Sequence, residues 1–180
     1  MSKPGAQIRN LYTQVKSSEK KTEHIVVAIV QDTPEVFSRI AGLMRRRSFS
    51  LKSLTIGKSE QLGYLRMTMV VDATRTDTEQ VIKQLYKIIE VTKVTDISFA
   101  SNIQRELALI KIFATKLTRS EIMQIVDIFR AKIVDVGHDS LMVEITGDTT
   151  KINSFLDLVR SFGIKELART GATAMSRGAN

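Results

Sequence analysis

The chain contains no cysteine and no tryptophan, and among its 180 residues there are two histidines, His24 and His138. Without cysteine there are no disulfides, no thiol nucleophile and no thiolate metal site. Two histidines leave little for a zinc centre or a histidine-based triad. Aromatic residues make up 6% of the sequence, too few for a platform that stacks bases, so nucleic-acid binding is not expected. No apolar run approaches the roughly 18 residues of a membrane span, and residues 1–23 lack the apolar core of a secretory signal. No nucleophile–base pair and no metal cluster stands out, so the chain is not expected to be an enzyme in its own right.

What is present is an ordinary globular balance, 43% hydrophobic and 26% charged, enough for one or two domains. The net charge of +8 asks for a partner of opposite sign. Residues 1–23 carry Lys3, Arg9, Lys16, Lys20 and Lys21 against Glu19 and Glu23, and read as a basic, flexible N-terminal arm.

Periodicity organises the remainder. HIVVAIV (24–30) is a β-branched strand that stops at Asp32-Thr33-Pro34, where Asp or Thr caps a helix and Pro34 takes its first position. Val36, Phe37, Ile40, Leu43 and Met44 give that helix one apolar face, to about Arg47. SFSLKSLTIG (48–57) alternates, with Phe49, Leu51 and Ser53 on one side and Ser50, Lys52 and Leu54 on the other. YLRMTMVV (64–71) is a strand, a helix follows with Val81, Ile82, Leu85, Ile88 and Ile89 inward, and VTDISFA (94–100) closes the unit. Ser101 to Arg105 reads as a connector, and the order then repeats. ELALIKIFA (106–114) is a strand, and Thr118 with Glu121 has capping-box form ahead of a helix faced by Ile122, Ile125, Val126 and Phe129. Segments 131–137 and 140–147 form a hairpin. Asp148 or Thr149 caps a helix bearing Ile152, Phe155, Leu156 and Val159, and 164–171 is the last strand. The class is α+β, two consecutive ferredoxin-like βαββαβ units at 24–100 and 106–180, with 101–105 between them.

Two features invite a functional reading. Arg45-Arg46-Arg47 either complements the dipole at a helix end or meets an acidic surface on a partner. The loop VQDTPEVFSR (30–39) leads into a helix N-terminus, whose free amides suit a small carboxylate; a plain capped helix is the competing reading.

At these residues the chain resembles the regulatory (small) subunit of acetolactate synthase, also called acetohydroxyacid synthase. SRIAGLMRRRSFSLKSLTIG (38–57) and RMTMVVD (66–72) resemble that family's ACT domain. RELALIKI (105–112), IFRAKIVDVG (128–137), MVEITGDTTKINSFLDLVRSFGIKELARTG (142–171) and SRG (176–178) resemble its C-terminal domain. The resemblance implies a non-catalytic, cytoplasmic subunit serving branched-chain amino acid (valine, isoleucine and leucine) biosynthesis. It implies a catalytic (large) subunit as partner, which this chain activates and makes sensitive to feedback inhibition by valine. No cofactor is expected in this chain; thiamine diphosphate, a divalent metal and, in many members, FAD are expected in the catalytic partner. The ACT domains are expected to pair as a homodimer, with the effector between the first loop of one chain and the second strand of the other.

That places the effector at Asp32, Pro34, Glu35, Val36, Phe37, Ser50 and Leu51, with Arg45, Arg46 and Arg47 toward the partner. The departures fall on the same residues. Glu35 stands where the family usually has Gly, and Ser48-Phe49-Ser50-Leu51 where it usually has Gly, aromatic, Asn, aliphatic. Glutamate adds bulk and repels a carboxylate, and serine reaches less far than asparagine, so weakened valine feedback is expected. The alternatives are a site retuned to another amino acid, and a free-standing ACT-type sensor acting on another protein.

Overall fold

Alternation along the first strand divides its side chains between two faces, and the computed structural model, which describes residues 22–46 and 50–178, shows what each face meets. Strand β1 (Thr22–Gln31) is followed by α1 (Pro34–Arg46), β2 (Ser50–Lys58), β3 (Tyr64–Ala73), α2 (Arg75–Leu85) and β4 (Val91–Asp96). These strands form an antiparallel sheet in the order β2-β3-β1-β4. Val26, Ala28 and Val30 of β1 join Met67, Met69 and Val71 of β3 in a core closed by Val36, Ile40, Leu43 and Met44 of α1 and Val81 and Leu85 of α2.

The second unit repeats the topology. It consists of β5 (Asn102–Phe113), α3 (Arg119–Ile128), β6 (Lys132–Val136), β7 (Ser140–Gly147), α4 (Thr149–Val159), a 3-10 turn (Arg160–Phe162) and β8 (Ile164–Arg169). Its sheet order is β6-β7-β5-β8, and its core packs Ala108, Ile110 and Ile112 against Ile122, Val126, Ile152 and Phe155. Both units are ferredoxin-like, as the periodicity implies.

Several local expectations are corrected. Residues 102–105 are not a connector: they extend β5 and pair with an additional strand, β9 (Thr173–Ser176). Helix α2 ends at Leu85; Ile88 is buried by the following turn, while Ile89 is 82% exposed and belongs to no core face. Strand β4 begins at Val91 and ends at Asp96, where Asp96 Oδ1 accepts the Ser98 amide at 2.9 Å and turns the chain. The Thr118–Glu121 capping box does not form. Thr118 spends its hydroxyl backwards, accepting the Thr115 amide at 3.0 Å, and Thr115 Oγ1 accepts the Thr118 amide at 3.3 Å. The cap therefore sits three residues earlier. Asp148 does cap α4, its Oδ1 accepting the Lys151 amide at 2.8 Å.

On β2 the simple alternation also fails. The register shifts between Leu51 and Ser53, leaving Lys52 as the extra residue. Leu51 and Leu54, opposite Val71 and Met69, therefore share the helix-side face, and Ser53, opposite Val70, turns to the other.

The other face of the first sheet is covered by the second unit. Ile25 and Val27 pack with Ile97 and with Ala174 of β9, and Arg66 Nη2 donates to the Ala174 carbonyl at 2.9 Å. Gly171 approaches β2 so closely that a Cβ there would stand 2.7 Å from Thr55 Oγ1. The two units are thus packed together.

Candidate functional site

The β1–α1 loop is held by backbone bonds from both sides. The Gln31 amide donates to Glu90 O at 2.8 Å and the Asp32 amide to Gly63 O at 2.9 Å. Gly63 has φ +80°, a conformation L side chains rarely adopt. Below the loop, buried Glu90 accepts an ion pair from Arg39 Nη1 at 3.0 Å.

At the helix start the expected side-chain cap is missing. Pro34 has no amide to offer, and the Val36 amide is taken by the Thr33 carbonyl at 3.3 Å. Thr33 Oγ1 is buried with no hydrogen-bond partner. A buried hydroxyl left in that state costs about 1–3 kcal/mol unless something supplies a partner. By its type Thr33 is a cap candidate and not an effector residue, and nothing in the sequence shows that the cap does not close and leaves its hydroxyl unpartnered.

Around it, Asp32, Pro34 and Glu35 are exposed and Phe37 is 38% exposed. Glu35 lies in the first turn of α1, where its charge favours the positive end of the helix dipole and competes with any other anion there. Val36 is fully buried in the core, so its side chain packs beneath the helix and meets nothing outside.

Ser50 and Leu51 are not brought to this loop within one chain. Ser50 pairs with Asp72, which pairs with Glu23 at the start of β1, whereas Asp32 follows the far end of that strand. Eight residues of strand, about 26 Å, separate them. Between these ends β2 runs as the sheet edge, with Leu51, Leu54 and Ile56 exposed along it.

Arg45 and Arg46 are exposed in the last turn of α1; Arg47, Ser48 and Phe49 lie outside the described residues. Neither histidine builds a site. His24 is buried, stacked edge-on to Phe99 at 5.4 Å, with Nδ1 3.6 Å from Asp96 Oδ2, and His138 lies in the β6–β7 turn. Among the described residues no His, Asp and Glu cluster could hold a metal ion, and no helix is long and apolar enough to cross a membrane.

Comparison with known proteins joins both halves of the chain to one family. The profile described as "AHAS small subunit-like ACT domain" matches residues 26–93, and that described as "Small subunit of acetolactate synthase" matches residues 105–178. The "Probable acetolactate synthase small subunit" of Methanothermobacter thermautotrophicus is 51% identical over 156 residues, covering 86% of this chain and 93% of that one. The chain belongs to the acetolactate synthase small-subunit family. The acetolactate synthase small subunit of Bacillus subtilis is 45% identical over 157 residues, 87% of this chain and 91% of the relative. A crystal structure of the small subunit from Thermotoga maritima superposes with a TM-score of 0.84 at 39% identity, covering 88% of this chain and 99% of that one. The first unit is accordingly an ACT domain and the second the C-terminal domain of this family.

Proposed function

We propose that this chain is the non-catalytic regulatory subunit that binds an acetolactate synthase catalytic subunit and raises its activity, in the cytoplasmic synthesis of branched-chain amino acids. The observation that carries this reading is the family match running in order through both domains. Thiamine diphosphate, a divalent metal and, in many members, FAD then belong to the catalytic partner, where the chemistry takes place.

The ACT domain is read as a homodimer. An unpaired edge carrying exposed Leu51, Leu54 and Ile56 is a template for pairing. Antiparallel pairing of two β2 edges would set Ser50 and Leu51 of one chain level with the Asp32–Phe37 loop of the other. The effector of such a paired site is an amino acid such as valine, its carboxylate at the α1 N-terminus and the Thr33 hydroxyl. Glu35 works against this by placing a like charge in the same turn, and Ser50 offers fewer hydrogen bonds than asparagine. Valine feedback is therefore weak in this chain while activation persists.

Two measurements check the reading. The rate of acetolactate formation by the cognate catalytic subunit, titrated with this chain without valine, is expected to rise and saturate. No rise, with both proteins folded, would transfer the reading to a free-standing sensor. In calorimetric titration Glu35→Gly is expected to tighten valine binding about tenfold, the equivalent of one charge-assisted interaction regained. Micromolar valine binding by the unsubstituted chain would sink the claim of weakened feedback.

A further inference from the structure

The outer face of the ACT sheet, opposite the face its helices cover, holds a recess. Register puts Ile29 of β1 opposite Arg66 on β3 and opposite Lys93 on β4. Two cations thus flank one aliphatic side chain on the same face, their strands about 10 Å apart. One row along, Val27 lies between Thr68 and Thr95. The β9 strand crosses this face, and its Met175 and Ser176 wall the recess into a cavity of ≈ 260 Å³.

The charges here are incompletely matched. Arg66 gives Nη2 to the Ala174 carbonyl at 2.9 Å, but its Nε is buried with no partner. Lys93 makes no ion pair among the described residues. Glu60, the one carboxylate of the lining, receives the Ser59 hydroxyl at 2.9 Å. Its own backbone amide, then Ser59, then Arg66 and Lys93 hold its carboxyl below the usual range, so it remains a single anion beside two cations. A buried guanidinium N–H without an acceptor is unfavourable, and two cations facing one recess repel each other; a bound anion relieves both. The floor beneath them, Val27, Ile29 and Ile97, is hydrocarbon.

We propose that this recess binds a small aliphatic carboxylate, its oxygens on Arg66 and Lys93 and its hydrocarbon body on Val27, Ile29 and Ile97. Inorganic phosphate would answer the charge but leave the apolar floor uncovered. The volume accommodates a short branched acid. Because Arg66 also holds β9, an occupied recess ties the ACT sheet to the C-terminal domain. The site uses none of the residues of the Asp32–Phe37 loop and goes beyond the reading given above.

The test is a titration of the 15N-labelled full chain with sodium 2-methylpropanoate, followed by amide shifts. Saturable shifts at Thr95, Ile97 and Ser176 with a millimolar Kd are expected, and none with the neutral isostere 2-methylpropanamide. Lys93→Met, an exposed change on an edge strand, is expected to leave the thermal midpoint unchanged and weaken binding at least about fivefold. The proposal is overturned by absence of shifts, by shifts confined to residues 33–37, by equal affinity in Lys93→Met, or by phosphate binding as tightly as the acid.

Discussion

Arg169→Met is expected to lower the stability of the C-terminal domain by about 3 kcal/mol, because it takes the cation away from a mostly buried carboxylate. Glu106 is 9% exposed and accepts two bonds, one from Thr149 Oγ1 and one from Arg169 Nε at 2.6 Å. Arg169 also donates Nη1 to Asn153 Oδ1 at 2.7 Å, so the guanidinium of β8 joins β5 to α4. Removing it leaves Glu106 charged with a single hydroxyl donor. The loss lies at the low end for a broken buried pair because Arg169 keeps 26% of its surface in water. The check is a double-substitution cycle by urea denaturation. Glu106→Gln combined with Arg169→Met is expected to be more stable than Arg169→Met alone, since no unpaired charge remains. If the double variant is the less stable of the two, packing by the arginine stem, and not charge, dominates the site.

Phe155→Ala is expected to cost about 3–5 kcal/mol, the range for emptying an aromatic site in a closed core. Phe155 is fully buried on α4 and meets Phe129 edge-to-face at 5.4 Å and 71°; such contact adds to the area it buries. In a chain of this size the loss corresponds to a fall of roughly 10 °C in the midpoint of the domain. Thermal unfolding followed by circular dichroism checks this. A fall of only a degree or two would mean that α4 slides inward to fill the space. Phe155→Leu, which keeps most of the volume, is expected to recover more than half of the loss.

The helices and central strands were legible because their residues are one-sided. Val36, Ile40, Leu43 and Met44 recur at helical spacing and all four are buried. Leu141, Val143 and Ile145 alternate and all three face the core. What escaped the sequence is of two kinds. The shift at Lys52 and the strand at Thr173–Ser176 depend on a neighbour: four residues, TAMS, carry no pattern of their own and become a strand only beside Asn102–Arg105. The unclosed cap at Thr33 and the displaced one at Thr115 are competitions between nearby hydroxyls and amides, and residue type alone does not decide them. In the candidate site the loop residues were legible by type, but the distance between Asp32 and Ser50 is a property of strand register. Composition does not contain it.

Strand β5 is read by two sheets along its length: residues 102–105 lie with β9, and Glu106 to Phe113 with β7 and β8. The architecture therefore repeats as two units without being modular. An ACT cassette cut out at residue 100 and grafted into a chimera would present Ile25, Val27 and Ile97 bare to water, because Ala174 closes that cluster from the opposite end of the chain. Circular rearrangement would meet the same difficulty, as each of the two halves completes a surface of the other. A transplantable form of this regulator has to carry the stretch after Thr170 along with the first hundred residues.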